Sequence, residues 1–148
     1  MFYHRHIGCA YVLWGEYYDD LLATIFASAL RQGGWRTRMV GLQGATHMGR
    51  YGNTLVADIA LGEALRNSEP IVCLMAPCAP EQLDTQRDSR LADLLLRAER
   101  GGAVFVAKAH IAGERNRYWP ATSHTIPNDP GEVLPLLHLL IEQLEHAH

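Results

Sequence analysis

Apolar positions along this chain come in short unbroken runs, separated by stretches in which they recur at helical spacing. The run "CAYVLW", residues 9–14, has no polar interruption and predicts a strand buried on both faces. After the polar turn "GEYYDD", Leu22, Ile25, Phe26 and Ala29 fall on one helical face, and Gly33-Gly34 stop that helix. "WRTRMVGL" predicts the second strand, and Gln43 to Asn53, with three glycines, reads as loop. "TLVADIALGEALRN" alternates like a strand but has the Ala and Leu content of a helix, so both readings stay open. "PIVCLMA", residues 70–76, predicts a core strand, and "PCAPEQLDTQRD" a loop.

Residues 89–100 place Leu91, Leu94, Leu95 and Ala98 on one face of a helix that ends at Gly101-Gly102. Val104 to Ala107 then predict a short buried strand running into a sharp turn, Lys108-Ala109-His110. Residues 111–128 look irregular, with a short strand at Ser123 to Ile126. "DPGE" announces the last helix: Asp129 caps, Pro130 fits the first helical position and Glu132 suits a capping box. Pro135 would cost one backbone bond there unless the helix starts near Glu132. Val133, Leu136, Leu137, Leu140, Ile141 and Leu144 give it a wide apolar face. Strands apolar on both faces, alternating with helices, predict one α/β domain over residues 1–148, a flavodoxin-like three-layer sandwich with a mostly parallel sheet. The carboxyl ends of such strands line the functional crevice. That brings together Gly15 to Asp20, Ala76 to Pro80 and Lys108 to His110.

Composition adds little to this picture. With 148 residues, 48% of them apolar, 20% charged and a net charge of −3, the chain is an ordinary globular domain with no basic run for nucleic acid. No apolar run is long enough to span a membrane and the start does not read as a signal peptide, so the expected location is the cytoplasm. Cys9 and Cys73 lie in strand runs as small core residues. His4, His6, His146 and His148 lie at the termini without partner ligands at suitable spacing, so no metal site and no cofactor is expected.

The order and spacing of several segments resemble the ThiJ/PfpI family of class I glutamine-amidotransferase-like domains. The segments are "LRQGGWRTRMVGLQG", "GRYGNTLVADIALGEA" with Asp58, "PIVCLMAPC", "SRLADLLLRAERGGAVFVAKAH" and "DPGEVLPLLHLLIEQL". The resemblance implies a nucleophile elbow after the strand that ends near Lys108. Ala109 takes the position of the family's Cys, and His110 matches the His that often follows it. Leu22, by its spacing from Gly34, replaces the carboxylate beside that Cys, although Glu16, Asp19 and Asp20 lie close by. Ala76-Pro77-Cys78 stands where the family has Pro-Gly-Gly, and Pro77 has no N–H for an oxyanion. A β-rich stretch between elbow and last helix is missing or much shortened. A methyl group is no nucleophile, so the inherited thiolate chemistry is lost.

Three functions compete. The first is a catalytically degenerate module that binds a small molecule or regulates, assembled as a homodimer through the last helix. Its ligand rim would be Glu16, Tyr17, Asp19, Asp20, Lys108 and Ala109, with Tyr17 and Tyr18 as aromatic surface and Tyr118 and Trp119-Pro120 as cover. The second is a thiol enzyme in which Cys78 and His110 act on a small electrophile. The third is a cobalamin-type cofactor domain, against which Tyr18 stands in place of a ligating His and Ala107-Lys108 in place of Gly-Gly. The bland reading of Asp19 and Asp20 is a solvated first helical turn, and of Lys108 a strand-end cation in water.

Overall fold

The computed structural model describes residues 7–108, 118–120, 123–127 and 129–147. Its centre is strand β1 (Cys9–Trp14), buried at every position. Helix α1 (Asp20–Gln32) follows and returns the chain, through the predicted Gly33-Gly34 stop, to β2 (Arg36–Gly41). Gly34 sits at φ 88°, a conformation that suits glycine, and lets Trp35 donate its N–H to the Leu30 carbonyl. Strand β6 (Ile71–Ala76), helix α3 (Ser89–Arg100), strand β7 (Val104–Lys108), strand β8 (His124–Ile126) and helix α4 (Pro130–Ala147) fall where the apolar pattern put them.

The stretch from Gln43 to Asn53, expected as loop, holds a strand. Thr46–Met48 (β3) and Thr54–Val56 (β4) pair as an antiparallel hairpin. The ambiguous stretch then proves to be both of its readings in succession: β5 (Ile59–Ala60) runs directly into helix α2 (Leu61–Arg66). Asp58 makes the junction. Its N–H donates to the Met39 carbonyl, and its carboxylate accepts from the Met39 N–H and from Arg31, both at 2.7 Å.

The main sheet has the order β5-β2-β1-β6-β7-β8 with every pair parallel. Complete burial of β1 and β6 requires cover on both faces. One layer is α1 packed with α4, the other α2 with α3. Strand order reverses direction at β1, so the crevice of this fold opens at the carboxyl ends of β1 and β6. Helix α4 starts at Pro130, as expected, with the Asp129 carboxylate accepting the Gly131 N–H at 2.9 Å. It runs on through exposed Pro135, whose missing bond falls near the helix start. Its face of Val133, Leu137, Leu140 and Leu144 is buried in the chain's own core. Trp119 is buried edge-on against Phe105, with ring centroids 5.0 Å apart. It is a core residue here, not crevice cover.

Among the described residues no strand pairs the first half of β2 on its β5 side. Arg36 and Arg38 project there, and Arg31 reaches over to donate to the Thr37 carbonyl. Arg36 pairs with Glu69. These charges line a cavity of about 560 Å³ at the amino ends of the strands, far from the crevice, and deter pairing with another strand. No helix among the described residues is long and apolar enough to cross a membrane.

Candidate functional site

The three segments expected at the crevice do meet. The Asp19 N–H donates to the Pro77 carbonyl at 2.8 Å, and the Lys108 N–H donates to the Cys78 carbonyl at 3.1 Å. These two bonds tie the ends of β1, β6 and β7 into one floor.

Asp19 and Asp20 are buried, against the expectation of a solvated first turn. Asp19 is 5% exposed and Asp20 1%. Asp19 caps α1 by accepting the Leu22 N–H at Oδ1 (3.0 Å), and its Oδ2 accepts from the Lys108 ammonium at 3.1 Å. Lys108 is therefore not a strand-end cation in water. Its charge is neutralised by a carboxylate held from the opposite side of the crevice.

Asp20 faces away from Asp19, toward the tip of the β3–β4 hairpin. Its carboxylate accepts the backbone N–H groups of Tyr51 (2.9 Å) and Asn53 (3.0 Å) and the Asn53 side-chain amide (2.7 Å). Burial works to raise the Asp20 pKa, but these donors outweigh it, and the carboxyl titrates below the ordinary aspartate range. The Arg50 N–H donates to the Tyr18 carbonyl (2.8 Å) and the Tyr17 N–H to the Met48 carbonyl (2.9 Å). Gly49 is required by this approach, since a Cβ there would lie 2.3 Å from the Asp20 Cβ. The cost falls on Tyr17, whose φ of 61° is the one positive value at a non-glycine among the described residues.

The clamped loop carries Arg50 and Tyr51 to a cavity of about 400 Å³. Leu21, Leu22 and Ile25 of α1 and Val133 of α4 supply its apolar wall, and Asp19 and Lys108 lie at its base. The Arg50 guanidinium stands 5.6 Å from the Tyr51 ring centroid. Leu22 gives this cavity an aliphatic wall. Arg50 and Tyr51 were not singled out from the sequence. The available signal was an Arg-Tyr pair bracketed by Gly49 and Gly52, the composition of a tight turn.

The remaining expected site residues go elsewhere. The Glu16 carboxylate pairs with Nδ1 of His47 at 3.1 Å; His47 is buried. Tyr17 is exposed, whereas Tyr18 is buried. Burial first, and then the neighbouring Cys78 thiol, push the Tyr18 phenol far above its usual range. Cys78 itself is 1% exposed. Burial raises Cys73 to about 12 and also raises Cys9, so both are inert core thiols. Ala109 and His110 lie outside the described residues, as do His4, His6 and His148. Among the described residues no cluster of three His, Cys, Asp or Glu could hold a metal ion.

No protein-family model matches the sequence, and no curated protein does. Solved structures do match. A DJ-1 superfamily protein of Salmonella typhimurium, a cysteine-to-alanine variant, superposes with a TM-score of 0.70 at 15% identity, over 95% of this chain and 91% of its own. Oxidized Toxoplasma gondii DJ-1 gives 0.68 at 15% identity, over 93% and 90%. Drosophila melanogaster DJ-1beta gives 0.55 at 18% identity, over 70% and 56%. The fold is a flavodoxin-like α/β sandwich, and within that class it is the DJ-1/ThiJ/PfpI fold.

Proposed function

We propose that this chain is a non-nucleophilic ligand-binding module built on the ThiJ/PfpI-like fold, working in the cytoplasm. The observation that carries the reading is the buried Lys108–Asp19 ion pair at the end of β7, beside a cavity with a wall of aliphatic side chains. At the crevice floor, the fixed partners Lys108 and Asp19 hold each other and leave neither charge to activate a thiol. The adjoining cavity has the size and the mix of apolar wall and few polar groups that suit a small ligand. The sequence agrees, since Ala109 supplies a methyl group where the family resemblance implies a thiol.

Thiol labelling separates this reading from an enzyme that uses Cys78 with His110. Buried against Tyr18, Cys78 is expected to alkylate in the native protein far more slowly than in the unfolded chain between about pH 5 and 9. Site-resolved mass spectrometry after iodoacetamide treatment reads this. Native Cys78 that labels faster at about pH 6 to 7 than an ordinary thiol, and slows in His110→Ala, would establish the enzyme instead.

The reading includes a homodimer. The inner face of α4 is occupied by the chain's own core, and Leu134 and Leu139 lie outside it, 55% and 64% exposed. Two-fold contact through these side chains would cover them. Light scattering is expected to give about twice the 16.5 kDa of one chain, and a single-chain mass at micromolar concentration refutes this part.

A further inference from the structure

We infer that the cavity between α1, α4 and the hairpin tip selects a small amphipathic monocarboxylate, and that Arg50 is the residue that reads its charge. This rests on the reading of the crevice as a ligand site and names the class of ligand.

Among the described residues that line the cavity, the charged groups are Asp19, Arg50 and Lys108. Asp19 and Lys108 neutralise each other at 3.1 Å. The exposed Arg50 guanidinium has no carboxylate partner among the described residues, although the buried Asp20 carboxylate lies beneath its loop with its oxygens committed to Tyr51 and Asn53. A guanidinium presents paired N–H donors in a plane, which matches the two oxygens of a carboxylate. Among the described lining residues an ammonium ligand would find no unpaired acid, and a dianion no second unpaired cation.

Leu21 and Leu22 belong to the first turn of α1, and Val133 to the first turns of α4. Two helix amino ends, of helices 13 and 18 residues long, thus border the cavity, each already capped by a carboxylate of the chain, Asp19 and Asp129, so the charge that remains for a ligand to meet is that of Arg50. The rest of the wall is aliphatic, so the body of the ligand is apolar. A volume of about 400 Å³ corresponds to about a dozen waters, room for a chain or ring of that many heavy atoms.

Arg50 is also placed for this role. Its backbone N–H is fixed to Tyr18, and the residues beyond it, Tyr51 and Asn53, are fixed to buried Asp20. The guanidinium rests against the Tyr51 ring. The clamp on the main chain reduces the freedom the loop would lose when a ligand binds.

Three probes of one length and different charge test the inference: hexanoate, hexanol and hexylamine, titrated calorimetrically into the wild-type chain, Arg50→Gln and Arg50→Lys. Hexanoate is expected to bind saturably and at least about tenfold more tightly than hexanol, with hexylamine weakest. Arg50→Gln should bring hexanoate to the level of hexanol and leave hexanol binding unchanged. Arg50→Lys should restore part of the preference, because a point charge replaces the fork. Hexanol or hexylamine binding as well as hexanoate would overturn the carboxylate assignment while leaving a ligand site in place. Hexanoate binding that ignores Arg50→Gln would overturn the role of Arg50. No binding by any of the three would overturn the ligand-site reading itself, and the inference with it.

Discussion

Replacing Lys108 with methionine is expected to destabilise the fold by about 3 kcal/mol, because it leaves the Asp19 carboxylate buried without its counter-charge. The side chain of Asp19 is 6% exposed and that of Lys108 20%, so the pair is largely shielded from water. Removing one partner of such a pair costs more than the pair itself contributes. The second substitution makes the point. Asp19→Asn keeps a good helix cap for Leu22 and carries no charge. Combined with Lys108→Met, it should recover more than half of the loss. Urea denaturation of the two single variants and the double variant gives the coupling directly. A loss that the double variant does not recover would mean that Lys108 acts through packing and not through its charge.

The second large effect is at Asp20. Asp20→Ala removes the acceptor of three hydrogen bonds at once and frees the hairpin tip from α1. The expected cost is about 3 kcal/mol near neutral pH, as hydrogen bonds to a charged group are among the stronger ones and the tip can partly rehydrate. The pH dependence has a definite sign. The folded-state pKa of Asp20 is depressed, so its contribution is present above the ordinary aspartate value of about 3.9 and is lost as pH falls through the folded value. The stability gap between wild type and Asp20→Ala should therefore narrow below about pH 4. Denaturation curves at neutral and acid pH check this, and a gap that stays constant would contradict it.

These two residues also show what the sequence could and could not reveal. The runs at residues 9–14 and 71–76 announce buried parallel strands because both sheet faces are covered, so no polar position interrupts them. Helix ends were legible where chemistry is local, as at Gly33-Gly34 and at Asp129-Pro130. The acidic turn was not. In "GEYYDD" nothing local distinguishes a solvated acid from a buried one. The partners that bury Asp20 lie 31 and 33 positions along the chain, and the partner of Asp19 lies 89 positions along. The hairpin escaped for a different reason. β3 lies in a glycine-rich stretch, and the alternation that covers β4 runs on without a break into β5 and α2, so nothing in the sequence marks a hairpin. With the hairpin unseen, Arg50 and Tyr51 had no address, so the expected ligand rim of Glu16, Tyr17, Asp19, Asp20, Lys108 and Ala109 did not include them, and the alternative rested on Cys78, which the fold buries beneath Tyr18.

The central claim is reversible binding in the cavity beside the ion pair, without chemistry at a thiol. Its most direct test is a backbone amide NMR titration with hexanoate, followed by dialysis. The account predicts saturable shifts concentrated at Leu21, Leu22, Tyr51, Lys108 and Val133, all of which return to their starting positions when the ligand is removed. Shifts at Cys78 and Ala79 with none at Leu21, Tyr51 or Val133, or any that persist after dialysis as a covalent adduct would, contradict it.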